Sequence, residues 1–174
     1  EQKLGIHASP TCVMNYGEKD GAVGYLIGQE NQGLATMFIM MNAARLAVGV
    51  QGVAIAERAT QRAVAYANER RQGRGADGAA GPVAIVEHAD VRRMLLTMQA
   101  MTHAARTICL ITARETDIAR LAADPEARSR AQARVALLTP VAKAFSTDVG
   151  CEVTSLGVQV HGGMGFVEET GAAQ

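Results

Sequence analysis

The chain has 174 residues, 17 basic against 17 acidic side chains, and 3 % aromatics with no Trp; it can hold one real core, and no overall field draws it to nucleic acid or anionic lipid. Ala, Leu, Val and eight Met dominate the apolar share, which favours interlocking helices and argues against a β-sandwich or barrel. Cys12, Cys109 and Cys151 are odd in number, widely spaced and set among apolar residues, as expected of buried thiols in a reducing compartment rather than disulfides or zinc ligands.

Residues 1–30 contain short β-like pieces, KLGIHASPTCVMNY and AVGYLIG, broken by Pro10 and by Gly17, Gly21, Gly24 and Gly28. Two or three such strands make no stable sheet alone, so the segment reads as the end of a β domain. From about Asn31 a helical period takes over, with Met37, Met41, Ala44, Val48, Ile55 and Ala59 on one stripe, and predicts a helix to about Arg71. Gly49 and Gly52 lie inside it, where each costs about 1 kcal/mol against Ala, and permit close helix contact.

QGRGADGAAGP, Gln72 to Pro82, reads as a long loop. A second helix runs from about Glu87 to Ala123, with Val91, Met94, Leu95, Met98, Ala105, Ile108 and Thr112 on one face. Asp124-Pro125 then fits the N-cap and first turn of a third helix. That helix carries Val135, Leu138, Ala142, Phe145, Val149, Val153, Leu156 and Val160, with Pro140 inside it, and runs into Gly162, Gly163 and Gly165. Three long amphipathic helices need a fourth, or a partner chain, to complete a bundle. The fourth is expected from about Glu168 and cut off at Gln174; both chain ends read as cuts. The fold class is mainly α, an up-down four-helix-bundle type of domain over 31–174, after the β remnant of 1–30. No apolar run approaches the ~18 residues of a bilayer span and no signal peptide is visible, so the sequence reads as cytoplasmic with no membrane span.

His7, His88, His103 and His161 show no metal-ligand spacing, and no metal is expected. The glycine cluster follows a helix rather than a strand, which removes a dinucleotide-fold reading. Three features keep two readings each. Arg45, amid MMNAARLAVGV, is either a long side chain covering apolar surface or an anion ligand. ERRQGR, Glu69 to Arg74, either complements a helix dipole or binds phosphate. GVQVHGGMGFVEE, Gly157 to Glu169, is either a specialised turn or a surface where backbone meets a ligand closely.

Taken in order, KLGIHASPTC, GQENQGL, MMNAARLAVGVQG, ERRQGR, EHADVRRML and QVHGGMGF resemble the acyl-CoA dehydrogenase family over nearly the whole chain. MMNAAR, ERRQGR and GCEVTSLGVQVHGGMGFVEETGAAQ look most like the bacterial branch of broad-chain and 3-methylmercaptopropionyl-CoA dehydrogenases. The resemblance implies FAD as cofactor, an acyl-CoA substrate oxidised to the trans-2-enoyl-CoA, electron-transfer flavoprotein as acceptor, and a homodimer or tetramer built through the bundle. By position it implies Asn42 and Arg45 at the nucleotide end of CoA. Arg70, Arg71 and Gln72 would lie at the FAD pyrophosphate of a neighbouring subunit, His88 and Ala89 at a second FAD contact, and Gln159, Val160, His161, Gly162 and Gly163 along its adenosine half.

Two departures stand out. Gly73-Arg74 replaces the family's usual Phe-Gly, and Ala44 occupies the position where a few members carry a catalytic glutamate. The expected base therefore lies beyond Gln174, no catalytic residue is expected in this chain, and Glu168 and Glu169 read as first-turn helix acids. These residues alone are expected to be inactive. The alternatives are an acyl-CoA oxidase and a noncatalytic helical oligomerisation module.

Overall fold

The computed structural model describes residues 2–76, 78 and 81–173. Its regular elements are helix α1 (Gly33–Glu69), strands β1 (Arg71–Arg74) and β2 (Pro82–Ala84), and helices α2 (Ala89–Leu121) and α3 (Pro125–His161). Short 3-10 turns occupy Ile85–Glu87, Gly162–Phe166 and Glu168–Thr170. The chain divides into two compact units, Glu1–Met37 and Phe38–Gln174.

In the first unit no strand forms among the described residues before α1. Tyr16 and Tyr25 are 78 % and 88 % exposed, and the backbone turns through positive φ at Ile6, Asp20 and Asn31. Short extended pieces without partner strands have nothing to pair their N–H and C=O groups.

The second unit is a helical bundle whose core comprises Val53, Ala56, Ala63, Met98, Ala105, Cys109, Ala142, Val149 and Val153 among others. Small residues set its geometry. A Cβ on Gly52 would lie 2.3 Å from the Ser146 carbonyl oxygen, one on Gly49 3.0 Å from that of Ala142, and one on Gly150 3.2 Å from Gly52 Cα. Further along, a Cβ on Gly157 would make ordinary contact, at 3.5 Å, with the Ala59 side chain. Both helices advance together through these contacts, so α1 and α3 run parallel at backbone distance. α2 runs against them, since Thr102 meets Thr60 while Cys109 reaches Gly49 and Ser146.

This close approach corrects the stripe expected on α1. Its buried residues are Gly49, Gly52, Val53, Ala56, Thr60, Ala63 and Ala67, whereas Ile55 is 54 % exposed. Helices that touch at the backbone need small side chains between them, and the larger apolar ones are displaced outward. The stripes expected on α2 and α3 hold better: Leu95, Met98, Ala105 and Thr112 are buried, as are Ala142, Val149, Val153 and Val160. Of the three thiols only Cys109 is buried; Cys12 and Cys151 are exposed.

Helix ends follow their local chemistry. Asp124 caps α3, its carboxylate accepting from Glu126 N (3.0 Å) and Ala127 N (3.2 Å), with Pro125 following. α3 continues through Pro140 to His161. Buried threonines return their hydroxyls to carbonyls one turn back, as Thr102 does to Met98 (2.8 Å). Buried Glu115 faces Arg134 of α3 at 3.5 Å and Arg114 at 3.8 Å.

Three further expectations need correction. The segment expected as a loop from Gln72 to Pro82 is bounded by the strands of a hairpin, which take in Gln72–Arg74 and Pro82, with Arg71 opposite Ala84, Arg74 opposite Pro82, and an irregular register between; residues 77, 79 and 80 lie outside the described ones. The fourth helix expected from Glu168 is a single 3-10 turn, ended by Gly171 at φ 70°. Glu168 and Glu169 are therefore acids of that turn. Finally, α1 contains an 18-residue window of mean hydropathy 1.5, long and apolar enough to cross a membrane, contrary to the expectation of no such run. Arg45 and Asn42 sit in this apolar half, and a charge at the centre of a span costs about 3 kcal/mol. The other half of α1 belongs to the bundle core.

Candidate functional site

The site is built at the end of the bundle where α1 and α3 finish. Tyr66, in the last turn of α1, stacks on His161, the last residue of α3, with ring centroids 4.4 Å apart and planes inclined by 26°. His161 is 7 % exposed, and its Nδ1 lies 2.7 Å from the Gly157 carbonyl. That carbonyl can only accept, so Nδ1 carries the proton. Between α1 and α3 runs a cleft of about 420 Å³, lined by Arg58, Ala59, Arg62, Ser155 and His161 and bounded by Gly171. Arg62 closes one edge by donating to the Thr170 carbonyl at 3.3 Å.

One turn beyond Tyr66 the hairpin begins. Arg70 N donates to the Tyr66 carbonyl (2.9 Å), and the Arg70 carbonyl accepts from Ile85 N (2.8 Å). β1 is exposed throughout, while Val83 and Ile85 are 7 % and 8 % exposed and root the returning strand. Arg71 Nε donates to the Pro82 carbonyl at 3.2 Å. Gly73, at φ 70°, packs under the His88 ring, whose Nε2 lies 2.7 Å from the Gln72 carbonyl.

Two segments far apart in sequence, Arg70–Gln72 and His88–Ala89, are thus brought into contact. The Tyr66–His161 stack sets Gln159–Gly163 at the same end of the bundle. Within that strip the residues differ. Gln159, Gly162 and Gly163 are exposed, whereas Val160 (4 %) and the His161 ring face the core. Gly162 has φ 60°, and a Cβ on Gly162 or Gly163 would meet nothing within 4 Å. A Cβ on Gly165, by contrast, would lie 2.4 Å from the Val158 carbonyl oxygen. Gly165 is thereby demanded by packing, and Gly163 is left open to an approaching ligand.

Asn42 and Arg45 are not part of this end. They lie on one face of α1, about 36 Å along a straight helix from Glu69 to Arg45. Arg45 Nη1 donates to Asn42 Oδ1 (2.9 Å), and its guanidinium carbon stands 5.3 Å from the Phe38 ring centroid. Both readings of Arg45 have a physical basis here: it covers an aromatic face while keeping donors to spare.

Tyr66 and Arg62 stand at this candidate end of the bundle, and no motif in the sequence singles them out. An aromatic residue in a chain this poor in aromatics, one turn before a basic cluster, is the signal that points to Tyr66. Along α1 and α2, Glu57 accepts from Gln61 (2.7 Å) and Arg106 (2.6 Å), which hold its carboxyl below the usual carboxylate range. Among the described residues no cluster of His, Cys, Asp and Glu could hold a metal.

Comparison with known proteins identifies the domain. Residues 31–174 match the model of the acyl-CoA dehydrogenase C-terminal domain. The chain is 55 % identical over its whole length to 3-methylmercaptopropionyl-CoA dehydrogenase of Ruegeria pomeroyi, covering 29 % of that protein. It is 37 % identical to a butyryl-CoA dehydrogenase of Syntrophomonas wolfei, over 97 % of the chain and 29 % of the relative. Butyryl-CoA dehydrogenase from Megasphaera elsdenii superimposes with a TM-score of 0.66 at 25 % identity, over 84 % of this chain and 33 % of that one. The chain therefore spans about three tenths of the length of these two curated relatives. With a bundle of this topology and a family match over nearly its whole length, it belongs to the acyl-CoA dehydrogenase family.

Proposed function

We propose that this chain is the C-terminal helical part of an FAD-dependent dehydrogenase that oxidises an acyl-CoA thioester to the trans-2-enoyl-CoA, with residues 1–30 the end of a preceding β domain. The observation that carries the reading is the gathering of Arg70–Gln72, His88 and Gly162–Gly163 at one end of the bundle. The donor set fits a dinucleotide cofactor. Exposed guanidiniums of Arg70 and Arg71 suit a pyrophosphate, which planar forks bind bidentately. The open backbone at Gly162 and Gly163 suits a ligand that must come closer than a Cβ allows. Gln159 offers an exposed amide, while Val160 and His161 contribute backbone rather than side chains.

When bound, FAD supplies the acceptor for the β-hydride. The residues of this chain bind and orient. Asn42 and Arg45, at the distant end of α1, are proposed for the nucleotide end of CoA, with Arg45 held by Asn42 and Phe38. The carboxylate that takes the α-proton is proposed to lie outside these 174 residues, because Ala44 gives α1 none at the alternative position. Electron-transfer flavoprotein is the proposed acceptor of the electrons, and the cofactor of one subunit is proposed to lie against Arg70–Gln72 of another in a homodimer or tetramer.

The test uses the full-length protein. It is expected to purify yellow, and Arg70→Ala is expected to weaken FAD binding by about 10- to 100-fold, the usual worth of a charged hydrogen bond. Arg45→Ala should raise the KM for acyl-CoA and leave the bound FAD unchanged. A colourless full-length protein that takes up no added FAD would leave a noncatalytic oligomerisation module as the correct reading.

A further inference from the structure

We propose that His88 is a positioning residue, which ties the Gln72 carbonyl and clamps Gly73 so that the segment Arg70–Gln72, at the start of the hairpin, is held in one conformation before any ligand arrives. This rests on the reading of that segment as a cofactor contact.

The strand has little else to hold it. β1 has four residues, all exposed, and pairs with three residues of β2 in an irregular register. A two-stranded hairpin of this size is marginal in water. The sequence between its strands contains Gly75, Gly78 and Gly81.

His88 is tied into the start of a long helix, whereas β1 is exposed at every residue. Its N–H donates to the Ile85 carbonyl (3.0 Å), and its carbonyl accepts from Arg92 N (3.0 Å) in the first turn of the 33-residue α2. As the N-cap residue it could turn its side chain onto the open N–H groups of α2, yet it makes no such bond. The ring points to the hairpin, with Nε2 2.7 Å from the Gln72 oxygen. A backbone carbonyl only accepts, so Nε2 must donate.

The fit at Gly73 is equally specific. A Cβ there would lie 3.2 Å from the ring Cε1 and 3.3 Å from Nε2, and the backbone has φ 70°. Ring and glycine are therefore matched, and a side chain at 73 would displace His88. Fixing the Gln72 peptide fixes the directions in which the neighbouring side chains leave the strand, since successive residues point to opposite sides. The guanidiniums of Arg70 and Arg71 would otherwise have to be ordered at the moment of binding, at a cost in affinity.

The experiment uses the full-length protein freed of FAD, with two readouts: FAD affinity by flavin fluorescence, and amide hydrogen exchange of the hairpin in the absence of FAD. His88→Leu is expected to raise the FAD Kd about tenfold and to speed exchange at residues 71–74, while core amides at Met98 and Thr102 stay protected. His88→Gln, whose amide can donate at a similar reach, should restore both. Gly73→Ala should reproduce the His88→Leu effects, and the double variant should be little worse than either. Unchanged hairpin exchange in His88→Leu overturns the proposal, as does a loosened hairpin with unaltered FAD affinity when Arg70→Ala does weaken FAD. If Arg70→Ala leaves FAD affinity untouched, the cofactor reading of the strand falls, while hairpin exchange in His88→Leu still decides whether His88 holds it.

Discussion

Glycines of the same sequence cluster and the same helix carry different obligations, and substitution separates them. Gly52→Ala would bring a methyl within 2.3 Å of the Ser146 oxygen, a backbone atom that cannot swing aside. It is expected to cost about 3 kcal/mol, read as a lower urea midpoint. Gly163→Ala meets open space and should change stability by less than about 0.5 kcal/mol, while lowering FAD retention in the full-length protein. The sequence shows three glycines in four positions and does not say which is held by packing; that answer depends on the Val158 carbonyl beside Gly165, a contact created only by the chain's turn at Gly162. A charge at residue scale gives a second expectation. Glu57 is held below the usual carboxylate range first by the Gln61 amide and then by Arg106. A lowered folded-state pKa means that its contribution is complete above the ordinary carboxylate value and is lost as pH falls through the lowered one. Stability of wild type and Glu57→Gln should therefore differ by about 1 kcal/mol or less near neutrality and converge as pH falls from the ordinary carboxylate value through the lowered one.

The elements differ in how far local chemistry determines them. Asp124→Ala removes acceptors for two backbone N–H groups at the start of α3 and should cost about 1 kcal/mol. That cap was legible because Asp-Pro acts within four residues. The three helices were legible for the same reason, their period recurring over many turns. The hairpin was not. Arg71–Arg74 carries no alternation of apolar and polar residues, and its strand character comes from pairing with Pro82–Ala84 across a glycine-rich connection. The buried face of α1 was misjudged because larger apolar residues weigh most in a periodicity, whereas backbone contact between helices selects Gly, Ala and Thr. For the candidate site, family resemblance nominates the residues. Their convergence was not legible, since it depends on the Tyr66–His161 stack and the His88–Gln72 bond between remote positions.

At the scale of the whole molecule, the end of the bundle proposed for the cofactor and the Asn42–Arg45 pair proposed for CoA lie far apart along one helix. Mixing the 174-residue chain with FAD and an acyl-CoA is expected to give no bleaching of the flavin absorbance, and bleaching would show that these residues contain a competent base after all. The parallel contact of α1 with α3 has a consequence for how such a chain can vary in length. Gly52 is locked against Ser146 and Gly150, and Tyr66 against His161, so the helix between them has a set phase. One residue added there would rotate all that follows by about 100°, carrying Tyr66 off its partner and turning the hairpin away from the glycine strip. Seven added residues would nearly restore the angle but displace the hairpin by about 10 Å. Insertions and deletions are therefore excluded from this stretch of α1 and admitted between the hairpin strands, where a change in length leaves both helices in register.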